Sequence, residues 1–454
     1  MARLRCQIEM PRLTISLNPI SPSPEYRFVF GFQFSVQCRF GERPMLIVNA
    51  NLVDVAAGAV REKAAVLIRD GRIEDTGRSL PDTGEHEIDA AGAYVCPGLI
   101  DGHVHLFLNA GSSPRTAFLS SDDEALMRTA ETNAALALRS GITTVRDCGG
   151  PAQLVFRFAE MVRRGELPGP RILAAGSPLT RPKGHCHFFG VEVASPEDAR
   201  RAVDRHVAMG AALIKLMASG GGLTPGTDPA EADLAPAVMR EAVAAAHSSG
   251  VQVCAHCHAA ESISRALDAG VDTIEHASFV RPKGPPEFQP ELARRMKDQG
   301  VAVGPTAISG VRIAQAIRNG GLQNGRDRDA VLRLESRRRH TAYFLEAGVN
   351  ILAGSDCGVA NTPFNSLVDE LDEYVNAGMS PVAALRSATS DSARYLNQPW
   401  LGSIEAGFAA DLLFLSGNPL KSLEPLRAPL VVIKEGVVTC DFRPASLGLS
   451  QPLR

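Results

Sequence analysis

Ala212-Leu213-Ile214-Lys215-Leu216-Met217-Ala218 is a short apolar run with a lysine at its centre. Such a run suits a strand buried on both faces, where an unpaired ammonium is costly to desolvate. The chain takes most of its cations from arginine; its lysines are Lys63, Lys183, Lys215, Lys283, Lys297, Lys421 and Lys434. Arginine keeps its proton in a protein interior, whereas a buried lysine can lose it and become a nucleophilic amine. Lys215 therefore has a chemical reading, set against the plainer one of a lysine that snorkels or pairs with a carboxylate.

Seven comparable runs flank it: Val95 to Leu106, Ile142 to Cys148, Arg171 to Ala175, Gln252 to Cys257, Thr273 to Ala277, Val301 to Thr306 and Ile351 to Ser355. Amphipathic stretches such as Glu124 to Arg139, Pro236 to Ser248 and Asp327 to Glu346 alternate with them. Eight strand–helix units in roughly 250 to 300 residues predict an α/β fold of the (β/α)8, TIM-type barrel kind. A doubly wound open sheet is the alternative, but no Gly-x-Gly-x-x-Gly follows the first strand. Short strands also stand at both ends: Leu46 to Asn51, Ala64 to Ile68 and Gly71 to Glu74, then Asp411 to Leu415 and Leu430 to Gly436. They predict one small β-sandwich assembled from both termini. The expected partition is an N-terminal extension over 1–44, a composite sandwich over 45–98 and 400–445, and the barrel over 99–399.

Residues 1–44 mix prolines, arginines and aromatics, as in Tyr26-Arg-Phe-Val-Phe-Gly-Phe-Gln-Phe34, without a clear period. They lack the charged start, apolar centre and small-residue cleavage site of a secretory signal, and a flexible extension is expected. The chain has 454 residues, 45% of them hydrophobic, and a formal net charge of −3. That balance argues against a nucleic-acid footprint or an anionic-membrane partner. No apolar stretch approaches the ~18 residues of a membrane span. Nine scattered cysteines, an odd number, argue against a disulfide framework and for a reducing cytoplasm.

In such a barrel, chemistry sits where the strands end. Those ends carry His103 and His105, Lys215, His256 and His258, His276, and Asp356. His103 and His105 stand at i and i+2 of a strand, on one face and about 7 Å apart, so both imidazoles can converge on one metal ion. A lone pair of this kind is as often a satisfied core pair; the preceding Gly98-Leu-Ile-Asp-Gly102 favours the metal. His256 and His276 end consecutive strands, and neutral imidazole is a common zinc ligand. Asp356 closes Leu352-Ala-Gly-Ser-Asp and can bind metal and exchange a proton with a hydrolytic water. Its plain alternative is a helix cap. A neutral Lys215 amine can react with carbon dioxide to give a carbamate, an anion able to bridge two cations.

These residues give the chain a resemblance to the amidohydrolase superfamily, in its imidazolonepropionase-like and Xaa-Pro dipeptidase branch. It is carried by Pro97-Gly-Leu-Ile-Asp-Gly-His-Val-His105, Ile214-Lys-Leu-Met-Ala-Ser-Gly-Gly221, Ala255-His256, Thr273-Ile-Glu-His276, Gly354-Ser-Asp356 and Gly402-Ser-Ile-Glu-Ala-Gly-Phe-Ala-Ala-Asp-Leu412. The likeness runs from about Met45 to Asp441. It implies a distorted (β/α)8 barrel with a flanking β-sandwich and a hydrolytic site of two divalent metal ions, zinc being the expected metal. The residues implied are His103, His105 and Asp356 for one ion, His256 and His276 for the other, and a carboxylated Lys215 between them. Mononuclear relatives lack the lysine, which favours the binuclear peptidase and amide-hydrolase side.

His258 shares a face with His256 and is read as a substrate or oxyanion contact. Some dipeptidase relatives place a tyrosine there, which leaves Xaa-Pro specificity open. His185, in Arg181-Pro-Lys-Gly-His-Cys-His187, is preferred to His187 as a substrate contact, with a plain exposed loop as the alternative. Cys254 and Cys257 flank His256, but strand alternation puts them on opposite faces, so ordinary packing is expected. Ser219 to Asp228 is glycine-rich without a Gly-Lys-Ser/Thr ending, and is expected to shape the mouth of the site. The expected activity is hydrolysis of an amide bond in a small peptide or N-acyl amino acid by a metal-bridging hydroxide. The alternatives are a one-metal cyclic-amide hydrolase or deaminase, and a non-catalytic scaffold; against the scaffold, the ligand set is complete. Side-by-side association of barrels is common among relatives.

Overall fold

The computed structural model describes residues 44–78, 80, 86–320 and 325–443. The extension expected over 1–44 lies outside the described residues except for Pro44. Six strands open the described chain: β1 (Met45–Asp54), β2 (Ala59–Arg69), β3 (Arg72–Gly77), β4 (His86–Asp89), β5 (Tyr94–Pro97) and β6 (Leu99–Val104). Then follow β7 (Ile142–Asp147), β8 (Arg171–Ala174), β9 (Leu213–Met217), β10 (Gln252–Ala259), β11 (Thr273–Val280) and β12 (Ala302–Gly304). The last are β13 (Leu412–Leu415), β14 (Val431–Lys434) and β15 (Val437–Asp441).

The run Val95 to Leu106, expected as one strand, is two strands in two sheets. Gly98 is the joint: a Cβ there would lie 2.2 Å from Thr143 Oγ1, so only glycine lets the chain turn against β7. β5 pairs with β1 and β13 in an eight-stranded sheet ordered β15-β14-β13-β5-β1-β2-β3, with β4 on β1. Strands from both ends of the chain thus share one sheet, folded around its own core of Ile47, Leu52, Val66, Ile88, Phe414 and Ile433.

β6 instead starts the barrel. β6-β7-β8 and β9-β10-β11-β12 form two parallel sheets. Hydrogen bonds outside the strand ladders join them: Ala212 N donates to Ala174 O, Leu179 N to Lys215 O and Met217 N to Leu179 O on one side. On the other, Leu352 N donates to Val303 O, while Gly102 N and His105 N donate to Ala353 O and Cys357 O of the same stretch. The expected strand Ile351 to Ser355 is thus reduced to an isolated bridge at Ile351, because its backbone groups split between β12, β6 and Ser387. Hydrogen bonds run around all eight positions, and the (β/α)8 barrel is distorted at these two joints.

Helices cover the barrel as their apolar faces require. Helix Pro236–Ser248 starts on proline, whose missing N–H costs nothing in the first turn, and buries Val238, Met239, Ala242, Val243, Ala245 and Ala246. Helix Asp123–Arg139 begins where the Asp122 carboxylate accepts from Ala125 N, and helix Pro196–Ala208 where Ser195 and Asp198 form a capping box. The third expected helix runs Gly325–Ala347. No helix among the described residues is long and apolar enough to cross a membrane.

Candidate metal centre

The end of β6 is pinned before it presents its histidines. Asp101 Oδ1 accepts from His103 N at 3.2 Å and from Ser355 N at 3.0 Å, tying β6 to the stretch that carries Asp356. Asp356 N donates to His103 O at 2.8 Å, and Asp356 sits at φ 60°, a left-handed conformation uncommon outside glycine but one that aspartate tolerates better than most residues. Its Oδ1 lies 3.5 Å from His103 Nε2 and 3.4 Å from His105 Nε2. The other ring nitrogens are taken: His103 Nδ1 donates to Glu275 Oε2 at 2.9 Å, and His105 Nδ1 to Gly149 O at 3.0 Å. With each Nδ1 committed to an acceptor, Nε2 is the ring nitrogen that both histidines turn towards Asp356, the arrangement that orients metal-binding imidazoles. Burial opposes charge on Asp356, but His103, His105 and Arg337 outweigh it and hold the carboxyl well below its usual range.

Glu275 is an acidic partner of His103 to which the sequence assigns no role. It is fully buried, and its other oxygen accepts from Arg146 Nη2 at 2.5 Å, while Arg146 Nε reaches Gly102 O at 2.5 Å. Burial raises the Glu275 pKa, yet Arg146 and His103 hold it far below normal. Removing either partner of a buried ion pair leaves the other charge uncompensated, at about 3–5 kcal/mol. A glutamate directly before a strand-end histidine was the available signal.

His256 and His258 on β10 and His276 on β11 form the second group, with ligand atoms within 4.8 Å of one another. Register matters here. His256 is paired with Glu275, and strand alternation turns Glu275 inward to His103 and Arg146. His276 joins the centre because the chain breaks alternation, with His276 at φ 68° and Ala277 at φ 41°. Its Nδ1 meets Thr306 Oγ1 at 2.7 Å; His258 Nδ1 meets Ser278 Oγ at 3.0 Å, and His256 Nε2 donates to Gly220 O at 3.2 Å. Burial, then the neighbouring imidazoles, push the pKa of His256 and His276 well down, so both stay neutral and keep a lone pair. The structure brings His258 as close to this group as the two expected ligands.

Lys215 lies on β9, opposite Cys254 of β10, with 1% of its surface exposed, and its Nζ has no hydrogen-bond partner. Burial lowers its pKa, but Cys148, Cys254 and Glu275 more than offset this and raise it. A buried polar atom without a partner costs about 1–3 kcal/mol, and natural interiors rarely keep one without use.

His185 is brought in and His187 is not. His185 is buried with its ring 4.7 Å from that of His256, and its Nδ1 is without a partner. Burial, then His105, lowers its pKa to about 3. Gly221 of the glycine-rich loop makes this possible, since a Cβ there would lie 2.5 Å from His185 Nε2. His187 is half-buried and held by Gly184 O at 3.0 Å. Two arginines were missed. Arg115, on the short helix after β6, lies over the Phe188 ring at 5.5 Å, and its buried Nε has no hydrogen-bond partner. Arg337 reaches Thr306 and Ser309. Neither lies near a recognisable motif. Cys254 packs with Cys148, Ala175 and Leu213, whereas Cys257 belongs to the main core and donates to Ser262 O, so the two cysteines do face apart.

The donor set fits divalent metal ions: two buried groups, His103–His105–Asp356 and His256–His258–His276, each offer three nitrogen or oxygen atoms. Lys215 adds an orphaned amine.

The sequence profile of the amidohydrolase family matches residues 94–439. By sequence, ochratoxinase of Aspergillus niger is 26% identical over 428 residues, 86% of this chain and 85% of that protein. By structure, a Xaa-Pro dipeptidase with methionine in its active site superposes with a TM-score of 0.77 at 28% identity, covering 87% of this chain and 99% of the other. A prolidase complexed with N-methylphosphonate-L-proline gives 0.77 at 27% identity, over 87% and 99% of the two chains.

Proposed function

We infer this chain's activity from one premise: it belongs to the amidohydrolase family. The reading is a binuclear hydrolase that cleaves the amide bond of a small peptide or N-acyl amino acid. The observation that carries it is the pairing of two buried donor groups with the partnerless amine of Lys215. His103, His105 and Asp356 would hold one ion and His256 and His276 the other. Lys215, carboxylated by carbon dioxide, would bridge them. Bound there, two divalent ions, zinc the expected metal, would polarise the scissile carbonyl and make a hydrolytic water acidic enough to attack at neutral pH.

The chain's own residues supply the rest. Asp356, held ionised, takes the proton of the attacking water and delivers it to the leaving amine. His258, fixed by Ser278, donates towards the carbonyl oxygen as negative charge develops on it. His185 contacts the substrate with its partnerless nitrogen. Relatives named as a Xaa-Pro dipeptidase and a prolidase support an amide substrate.

Metal analysis and a substrate panel test this together. Purified chain loaded with zinc is expected to hold about two ions and to hydrolyse at least one of Xaa-Pro, Xaa-Arg or N-acyl amino-acid substrates. One ion per active chain would favour the mononuclear reading. Two ions with no activity on the panel would move the substrate to ring opening or deamination.

Such substrates end in a carboxylate, and the Arg115 guanidinium has a buried N–H to offer one. Arg115→Met is expected to raise KM about tenfold to a hundredfold, the worth of one charge-assisted hydrogen bond, with kcat little changed. The same substrate with an amidated terminus should show no such difference between the two proteins. Equal KM for both proteins on the free acid would remove Arg115 from the site.

A further inference from the structure

The turn over Thr306 to Ser309 touches both metal-binding groups. Thr306 stands at φ 50°, outside the range a threonine prefers, at the start of helix Ala307–Asn319. Two buried groups, a carboxyl and a guanidinium, hold it there. The Glu370 carboxyl group accepts from Ala307 N at 2.9 Å and Ile308 N at 2.6 Å. Arg337 Nη1, on helix Gly325–Ala347, shares its two N–H bonds among Thr306 O and Thr306 Oγ1 at 3.2 Å and Ser309 Oγ at 3.1 Å. Each hydroxyl then faces a different group: Thr306 Oγ1 lies 2.7 Å from His276 Nδ1, and Ser309 Oγ lies 3.4 Å from Asp356 Oδ2.

We propose that Arg337 is a positioning residue that couples the two metal-binding groups, holding His276 through Thr306 and Asp356 through Ser309. The proposal rests on the binuclear reading above. Arg337 is a permanent donor. It occupies one lone pair on each hydroxyl oxygen and so limits how each hydroxyl can turn. On Thr306 the remaining lone pair accepts the His276 Nδ1 proton, which fixes the imidazole's plane and leaves Nε2 as the ligand nitrogen. On Ser309 the single proton has two acceptors, Asp356 Oδ2 at 3.4 Å and Thr306 O at 3.0 Å. Thr306 O already takes a share of an Arg337 N–H and Asp356 is the charged acceptor, so the carboxylate competes for the proton despite its greater distance. One cation thereby sets an orientation in each group, and the groups answer together when it is lost.

Metal affinity, measured on metal-free protein by zinc titration against a chromophoric chelator, tests the coupling without an activity assay. Arg337→Met is expected to weaken both zinc-binding events about tenfold to a hundredfold, the usual loss when an outer partner of a ligand is removed. Arg337→Lys should recover part of that loss. Ser309→Ala should weaken one event and Thr306→Ala the other. In the Thr306→Ala/Ser309→Ala protein, adding Arg337→Met should change little further. Two unchanged affinities in Arg337→Met would overturn the proposal. If that variant does not fold, unchanged affinities in the Thr306→Ala/Ser309→Ala protein overturn it equally. A wild-type chain that binds fewer than two ions would overturn the binuclear reading itself, whatever Arg337 does.

Discussion

Asp356→Asn is expected to lower kcat by about 10²- to 10⁴-fold, the range for loss of a positioned proton-transfer group. The change keeps the shape of the side chain but removes its charge and its ability to accept a proton. His103 and His105 keep their bonds to Glu275 and Gly149, so most of the bound metal should remain. The pair of measurements is kcat on the best amide substrate and metal content of the same sample. Turnover equal to wild type would end the assignment of Asp356 as the proton carrier. Metal lost in parallel with activity would make it a ligand first.

Lys215→Met should split stability from function. The thioether has nearly the lysine's length and suits a fully buried place beside Cys148 and Cys254. Removing the amine relieves a buried nitrogen without a hydrogen-bond partner but also forfeits its attraction to Cys148, Cys254 and Glu275, so the metal-free chain should change little in stability. Glu275 keeps Arg146 and His103 as its own partners, so no new charge is stranded. The same variant should bind fewer than two ions and lose activity, because a thioether cannot be carboxylated. Urea unfolding of metal-free protein reads the first effect, and metal content with turnover reads the second. A destabilised variant that still binds two ions would make Lys215 an ordinary structural lysine.

Much of the centre was legible because the relevant signals are local. An apolar run ending in a polar residue places that residue at a strand end, and His103 and His105 share a face through strand period alone. The helix Pro236–Ser248 was readable to the residue because proline marks its start and its apolar positions recur at helical spacing. Less local features were not. The break at Gly98 depends on Thr143, far along the chain, and nothing in Val95 to Leu106 announces it. Ile351 to Ser355 looks like a strand because it is apolar, but its backbone partners are divided among three parts of the chain.

The sequence by itself determined which residues arrive at the mouth of the barrel: His103, His105, Lys215, His256, His258, His276 and Asp356 each follow or interrupt an apolar strand, and hydrophobic burial fixes the rest. Only the tertiary structure decided how they are aimed. Glu275 turns inward to orient His103, while His276, its neighbour, reaches the centre through a left-handed backbone that alternation does not predict. Arg115 and Arg337 come from helices whose sequence carries no motif, and their contacts are made across the fold. The reason is physical: burial is a one-body preference written into each residue, whereas hydrogen-bond direction and backbone strain depend on pairs of groups that only the folded chain brings together.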